Sequence, residues 1–91
     1  MATVAVLHKV NDYDAWRAVF EEHGVVRKSH GCTGERILRE GDDALNVLVL
    51  TEWPTMEAAH AFATDPSLPE AMERAGVAGP PRIEFFDGVA D

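Results

Sequence analysis

Cysteine is almost missing from this chain: Cys32 stands alone among 91 residues. It cannot close an internal disulfide and has no second thiol for a metal site, which suits a reducing compartment. Basic residues are also scarce, eight Lys and Arg against sixteen Asp and Glu, for a formal charge of −8. That field repels phosphate backbones and anionic lipid, so neither a nucleic-acid nor a membrane partner is expected. No apolar run approaches the roughly 20 residues that cross a bilayer. The opening "MATVAVLHKV" lacks a basic segment before its apolar stretch and a small-residue cleavage site after it. It reads as a strand and not as a signal peptide, with the cytoplasm as the expected address. Phosphate-loop, nucleophile-elbow and dinucleotide signatures are absent, and the histidines at 8, 23, 30 and 60 have no recognisable metal-site spacing. No metal and no cofactor are expected.

What remains is enough for a core. Hydrophobic residues make up 46% of the chain, too many for a disordered segment, and the length fits one domain over residues 1–91. "TVAVLHKV" (3–10) is β-rich and nearly continuous in apolar residues, and "NDYD" after it can cap a helix. Gly31 and Gly34 flank a turn before a short strand at 35–40, and "EGDD" signals a hairpin into a strand at 44–53. Thr55 can cap a helix over 56–64, and Ser67 with Glu70 has the spacing of a capping box opening a last helical piece through Ala75. "GPP" must be extended, and "RIEFF" (82–86) closes the chain as a strand.

The order β-α-β-β-α-β, with the second helix split, predicts an α+β, ferredoxin-like split βαβ: a four-stranded antiparallel sheet with its helices on one face. In that topology the first and third strands are central, and those are the most apolar. Val4, Val6 and Val10 point one way and Ala5 and Leu7 the other; Leu45, Val47 and Val49 oppose Leu48 and Leu50. Strands apolar on both faces need cover on both, and one layer of helices supplies only one. A second copy, packed sheet against sheet, is the simplest cover, so a homodimer is expected.

"YDAWRAVFEEHGVVRKSH" (13–30) carries the polar residues of greatest interest. At about 100° per residue, Tyr13, Trp16, Phe20 and His23 share one stripe, and Arg27 and His30 extend it if the helix survives Gly24. Arg27 and His30 either border a pocket or mark where the stripe emerges into water, with cations suited to a helix C-terminus. His23 is either a hydrogen-bonded core histidine or a pocket residue. His8 interrupts the face of Val4, Val6 and Val10. Trp53, at a strand end before Pro54, suits a packing lid; Phe62 and Met72 sit on inner helix faces, and His60 faces water.

Nearly the whole chain resembles the dimeric α+β barrel superfamily, which includes antibiotic-biosynthesis-monooxygenase-like, stress-responsive and haem-degrading proteins. The resemblance is carried by "HKVNDYDAWRAVFEEH" with a glycine soon after, by "VLVLTEWPTMEAAHAFATDPSLPEAMERAGV", and by "GPPRIEFF". It implies a pocket between sheet and helices, lined partly by the first strand. His8 stands where haem-degrading relatives carry an asparagine. Phe62 and Met72 stand where those relatives have a tryptophan and, ten residues later, the iron-ligating histidine, so ordinary haem degradation is not expected. Monooxygenase relatives oxidise polycyclic phenols without metal or flavin. The resemblance therefore implies a cofactor-free monooxygenase or cyclase acting on a small aromatic, polyketide-type substrate. His23 or His8 would be the base, and Tyr13, Trp16, Phe20, Arg27, Trp53, Phe62 and Met72 the substrate contacts. A non-catalytic small-molecule-binding dimer, or a stress-associated one, is the alternative.

Overall fold

Valines at 4, 6 and 10 give β1 (Ala2–Val10) a face that is almost fully buried, and this strand runs through the middle of the sheet. The computed structural model describes residues 1–89. After β1 come α1 (Tyr13–Glu22), α2 (Gly24–Ser29), β2 (Gly34–Glu40), β3 (Asp43–Trp53), α3 (Met56–Ala63), α4 (Ser67–Arg74) and β4 (Val77–Asp87). The strands form one antiparallel sheet in the order β2-β3-β1-β4. The expected ferredoxin-like arrangement is present, with the two most apolar strands central.

Local chemistry sets the helix ends. Asp12 accepts the Ala15 amide at 3.0 Å and opens α1, and Thr55 accepts the Ala58 amide at 3.0 Å and opens α3. Gly76, at φ +75°, supplies the left-handed residue that ends α4. The long helix allowed by the 13–30 stripe does not persist. His23 ends α1 by donating its amide to the Val19 carbonyl at 2.9 Å, and its own carbonyl accepts the Val26 amide at 3.0 Å to start α2. The chain thus turns at His23, just before Gly24.

Two other expectations change. β4 begins at Val77 and not at 82, because an edge strand tolerates Pro80 and Pro81, whose missing amides would spoil a central one. The register between β1 and β4 slips there: Leu7 faces Arg82, but Lys9 faces Ala78. His8 sits opposite this irregularity, where Gly79 adopts φ +78°. The capping box of Ser67 and Glu70 does not form either. Pro66 occupies the cap position without a side-chain bond, and the Ser67 hydroxyl is engaged elsewhere.

The helices and one face of the sheet share the core. Ala2, Val4, Trp53, Ala59 and Phe62 form one buried cluster; Val10, Trp16, Val47, Val49 and Ala75 form another. On the opposite face the cross-strand pairs Ala5–Leu50, Leu7–Leu48 and Leu38–Leu48 bring together apolar side chains that are only half-buried. Phe86 lies beside Thr3 on that face and is 52% exposed.

Candidate functional site

Between the two core clusters, helices and sheet enclose a cavity of about 70 Å³. Val6, His8, Val49 and Thr51 form its floor; α1 contributes Trp16, Val19 and Phe20, and α4 contributes Leu68, Ala71, Met72 and Ala75. Phe62, His23 and Arg27 complete the wall. The cavity is therefore largely apolar, with two imidazoles and one guanidinium at its boundary.

His8 reaches this wall because even-numbered β1 residues face the helices. Its ring is 6% exposed, and among the described residues neither nitrogen has a hydrogen-bond partner. The Trp16 ring lies 5.5 Å away, centroid to centroid, and Trp16 in turn stacks on Phe20 at 5.1 Å. Burial pushes the His8 pKa below its ordinary value, so the ring is neutral near pH 7. A neutral imidazole can donate one hydrogen bond and accept one. A buried polar side chain without a partner costs stability, roughly 1–3 kcal/mol, and such groups collect where a ligand or a proton is handled.

His23 has a different environment. Its Nε2 lies 2.9 Å from Ser67 Oγ, at the first turn of α4. Burial lowers its pKa first, the positive charge of Arg27 lowers it further, Asp65 opposes both, and Arg74 adds a smaller lowering. Arg27 is itself 4% exposed. Its Nε donates to Glu35 Oε2 at 2.9 Å, and the guanidinium carbon stands 3.7 Å over the Phe20 ring. The cation is thus committed to a carboxylate and an aromatic face before any ligand arrives.

Behind His23 lies a further set of contacts. The Asp65 carboxylate accepts from the Ser67 amide at 2.8 Å and stands 2.8 Å from His30 Nε2. His30, the Ser67 hydroxyl and the Ser67 amide, in that order, hold this carboxyl well below the usual range. His30 is half-buried and takes no part in the cavity wall; its ring edge meets Phe62 at 6.0 Å.

The structure brings together His8, Trp16, Phe20, His23, Arg27, Phe62 and Met72 from the residues singled out in the sequence. It places two others outside the wall. Tyr13 is half-buried toward the surface, where its hydroxyl accepts from Arg17 at 3.0 Å and its ring lies under Arg39. Trp53 is fully buried in the core, stacked on Phe62 at 4.9 Å with its Nε1 donating to Thr51 Oγ1 at 2.9 Å. His60 is exposed and stacks on Phe85 at 4.1 Å. Sequence reasoning missed Thr51, Asp65, Ser67 and Glu35. The run Asp-Pro-Ser at 65–67 held a signal for two of them, since an Asp readily accepts the amide two residues on. Among the described residues no three His, Cys, Asp or Glu side chains converge as a metal site would require.

No protein-family model matches this chain, and no curated protein sequence matches it. Solved structures do. A Bordetella bronchiseptica protein described as an antibiotic biosynthesis monooxygenase superposes with a TM-score of 0.79 at 15% identity, over 98% of this chain and 97% of that one. SnoaB, a cofactor-independent oxygenase from Streptomyces nogalater, also gives 0.79 at 15% identity, over 99% of this chain and 94% of its own. A Caulobacter crescentus protein of the same description gives 0.78 at 22% identity, over 98% and 90%. The chain has the fold of these antibiotic biosynthesis monooxygenase-like proteins, as its own motifs led one to expect.

Proposed function

We propose that this protein is a cofactor-independent oxygenase-like or cyclase-like protein that takes a small hydroxylated aromatic compound between its helices and its sheet. The observation that carries this reading is His8, a neutral, buried imidazole with two unpartnered nitrogens in an otherwise apolar wall. In such a site a phenolic hydroxyl gives its proton to His8 or His23, and the resulting anion is electron-rich enough to reduce dioxygen directly. The apolar wall keeps water from solvating that anion, while Trp16 and Phe20 offer flat faces to an aromatic ring. Cyclisation of a related substrate would use the same base and pocket without consuming oxygen.

The volume constrains the ligand. About 70 Å³ is well under the roughly 150 Å³ of an apolar cavity that binds benzene. A ring therefore enters only as wall side chains give way, and Met72, unbranched and half-buried, yields most easily.

The protein acts as a cytoplasmic homodimer closed through the half-buried sheet face, which leaves the cavity on the far side of each sheet. Among the described residues no helix is long and apolar enough to cross a membrane. Oxygen uptake with naphthol- or hydroxyanthrone-type compounds tests the catalytic reading. Uptake that disappears in His8→Ala and His23→Ala, with folding intact, supports it. Saturable quenching of Trp16 fluorescence without turnover points to a binding protein instead, and neither uptake nor quenching removes both readings.

A further inference from the structure

His23 has two neighbours with opposite demands on it. The ring lines the cavity, and its Nε2 is spent on Ser67 Oγ at 2.9 Å. Which of the two carries the hydrogen of that bond decides what the ring offers on its other nitrogen. Ser67 has one hydroxyl hydrogen and two candidate acceptors, the neutral His23 Nε2 and the Asp65 carboxylate. A bond to an ionised acceptor is roughly twice as strong as one between neutral groups. Asp65 is fixed beside Ser67 by accepting the serine's own amide at 2.8 Å, and His30 secures its other oxygen at 2.8 Å. The serine hydrogen therefore goes to Asp65, and the serine oxygen is left to accept from His23 Nε2–H.

We propose that Asp65 and Ser67 are positioning residues: acting through the Ser67 hydroxyl, Asp65 fixes the His23 ring with its hydrogen on Nε2 and a bare Nδ1, so that His23 is a proton acceptor for a hydroxyl-bearing ligand. The role in ligand chemistry rests on the reading of the cavity given above; the tautomer itself does not. The arrangement also prepares for the proton's arrival. An imidazolium at His23 would face Arg27 on α2 and Arg74 on α4, both unfavourable, with Asp65 as the compensating charge. A carboxylate that orients an imidazole and stabilises its cation is a recurring device in general-base sites; here a serine stands between the two. This also explains why Ser67 forms no capping box with Glu70: its hydroxyl is turned inward, and Asp65 satisfies its amide instead.

The test is the nitrogen-15 spectrum of the histidine side chains in the ligand-free protein above pH 7. His23 is expected to show a protonated Nε2 and an unprotonated Nδ1. Ser67→Ala should collapse this into averaged intermediate shifts for both nitrogens, and Ser67→Thr, which keeps the hydroxyl, should restore the single tautomer. Asp65→Asn should move the His23 titration midpoint further down than in the parent protein. A parent spectrum with the proton on Nδ1, or a Ser67→Ala spectrum unchanged from the parent, overturns the proposal. The parent spectrum is decisive even if a variant does not fold. If the tautomer is as expected and no aromatic ligand binds, only the functional reading of the cavity fails.

Discussion

The Arg27 guanidinium carbon lies 3.7 Å above the centre of the Phe20 ring. Aromatic face, cation and carboxylate form one stack, because Arg27 Nε also reaches Glu35 at 2.9 Å. The two ends of the ion pair differ in exposure, 4% for Arg27 and 45% for Glu35. That asymmetry predicts an unequal response to mutation. Glu35→Gln leaves a buried cation with weaker compensation and should cost about 1–2 kcal/mol, less than a fully buried pair because water reaches the glutamate side. Arg27→Met removes the buried charge, keeps much of the volume against Phe20, and strands only a carboxylate that can turn to solvent. It should cost less than Glu35→Gln. Urea unfolding of the two variants checks the order, and the reverse order would show that the cation stabilises this wall in its own right.

His8 gives a prediction of opposite sign for stability and function. Replacing an unpartnered buried imidazole with a leucine removes a desolvation cost and should raise stability by about 1 kcal/mol. The same His8→Leu change should abolish oxygen uptake or ligand binding. Equilibrium unfolding read beside a quenching titration decides it. A destabilised His8→Leu protein would mean that the ring has a partner in solution.

The two buried histidines fix a direction for pH. Both have folded-state pKa values below the ordinary one, His8 through burial and His23 through burial and Arg27. The unfolded chain takes up these protons first as pH falls through about 6.5, while the folded chain resists. Their contribution to stability is complete above that pH and is lost as pH drops toward the lowered folded values. Melting temperature should therefore hold between pH 8 and 7 and decline from 6.5 to 5. The decline should be shallower in His8→Leu, and a parallel decline would assign the effect to other groups.

Much of this architecture was legible because burial leaves a periodic trace. Alternating valines in β1 and apolar residues on both sides of β3 identified the central strands, and Asp12 and Thr55 marked two helix starts by their chemistry. The Trp16–Phe20–His23 stripe foretold the cavity wall. Other features depend on which partner a side chain finds across the fold, and spacing carries no record of that. Ser67 with Glu70 satisfies the pattern of a capping box, yet the serine meets His23, 44 residues away in sequence. Trp53 looked like a lid, but Thr51 takes its Nε1 hydrogen and Phe62 its ring face, drawing it into the core. The isolation of His8 follows partly from the slip of β4 at Gly79–Pro81, an event on another strand.

The outer sheet face predicts an assembly. Leu48 stands between Leu7 and Leu38 across the sheet, at the centre of the half-buried apolar patch. In a dimer closed through this face, Leu48→Glu would place a charge in each copy at the middle of the contact. The substitution should weaken association by at least about 2 kcal/mol, roughly thirtyfold in dissociation constant. Sedimentation equilibrium should find the parent chain as a dimer at micromolar concentration and the variant shifted to the one-subunit mass. A parent chain that sediments as one subunit removes the assembly, and the cavity would then need no second copy.

Met72 tests whether the cavity is a site that expands. Truncation to alanine removes a half-buried side chain from the wall, and should cost about 1–2 kcal/mol, below the range for a fully buried methionine. The same change enlarges a space of about 70 Å³ that is too small for an aromatic ring as it stands. A naphthol should therefore bind Met72→Ala more tightly than the parent protein, despite the loss of stability. The tryptophans report where it binds: Trp16 is in the wall and Trp53 is not. Quenching should persist in Trp53→Phe and largely vanish in Trp16→Phe. Quenching that instead followed Trp53 would place the ligand among the core side chains around Phe62, and an unchanged affinity in Met72→Ala would mean that another part of the wall makes room.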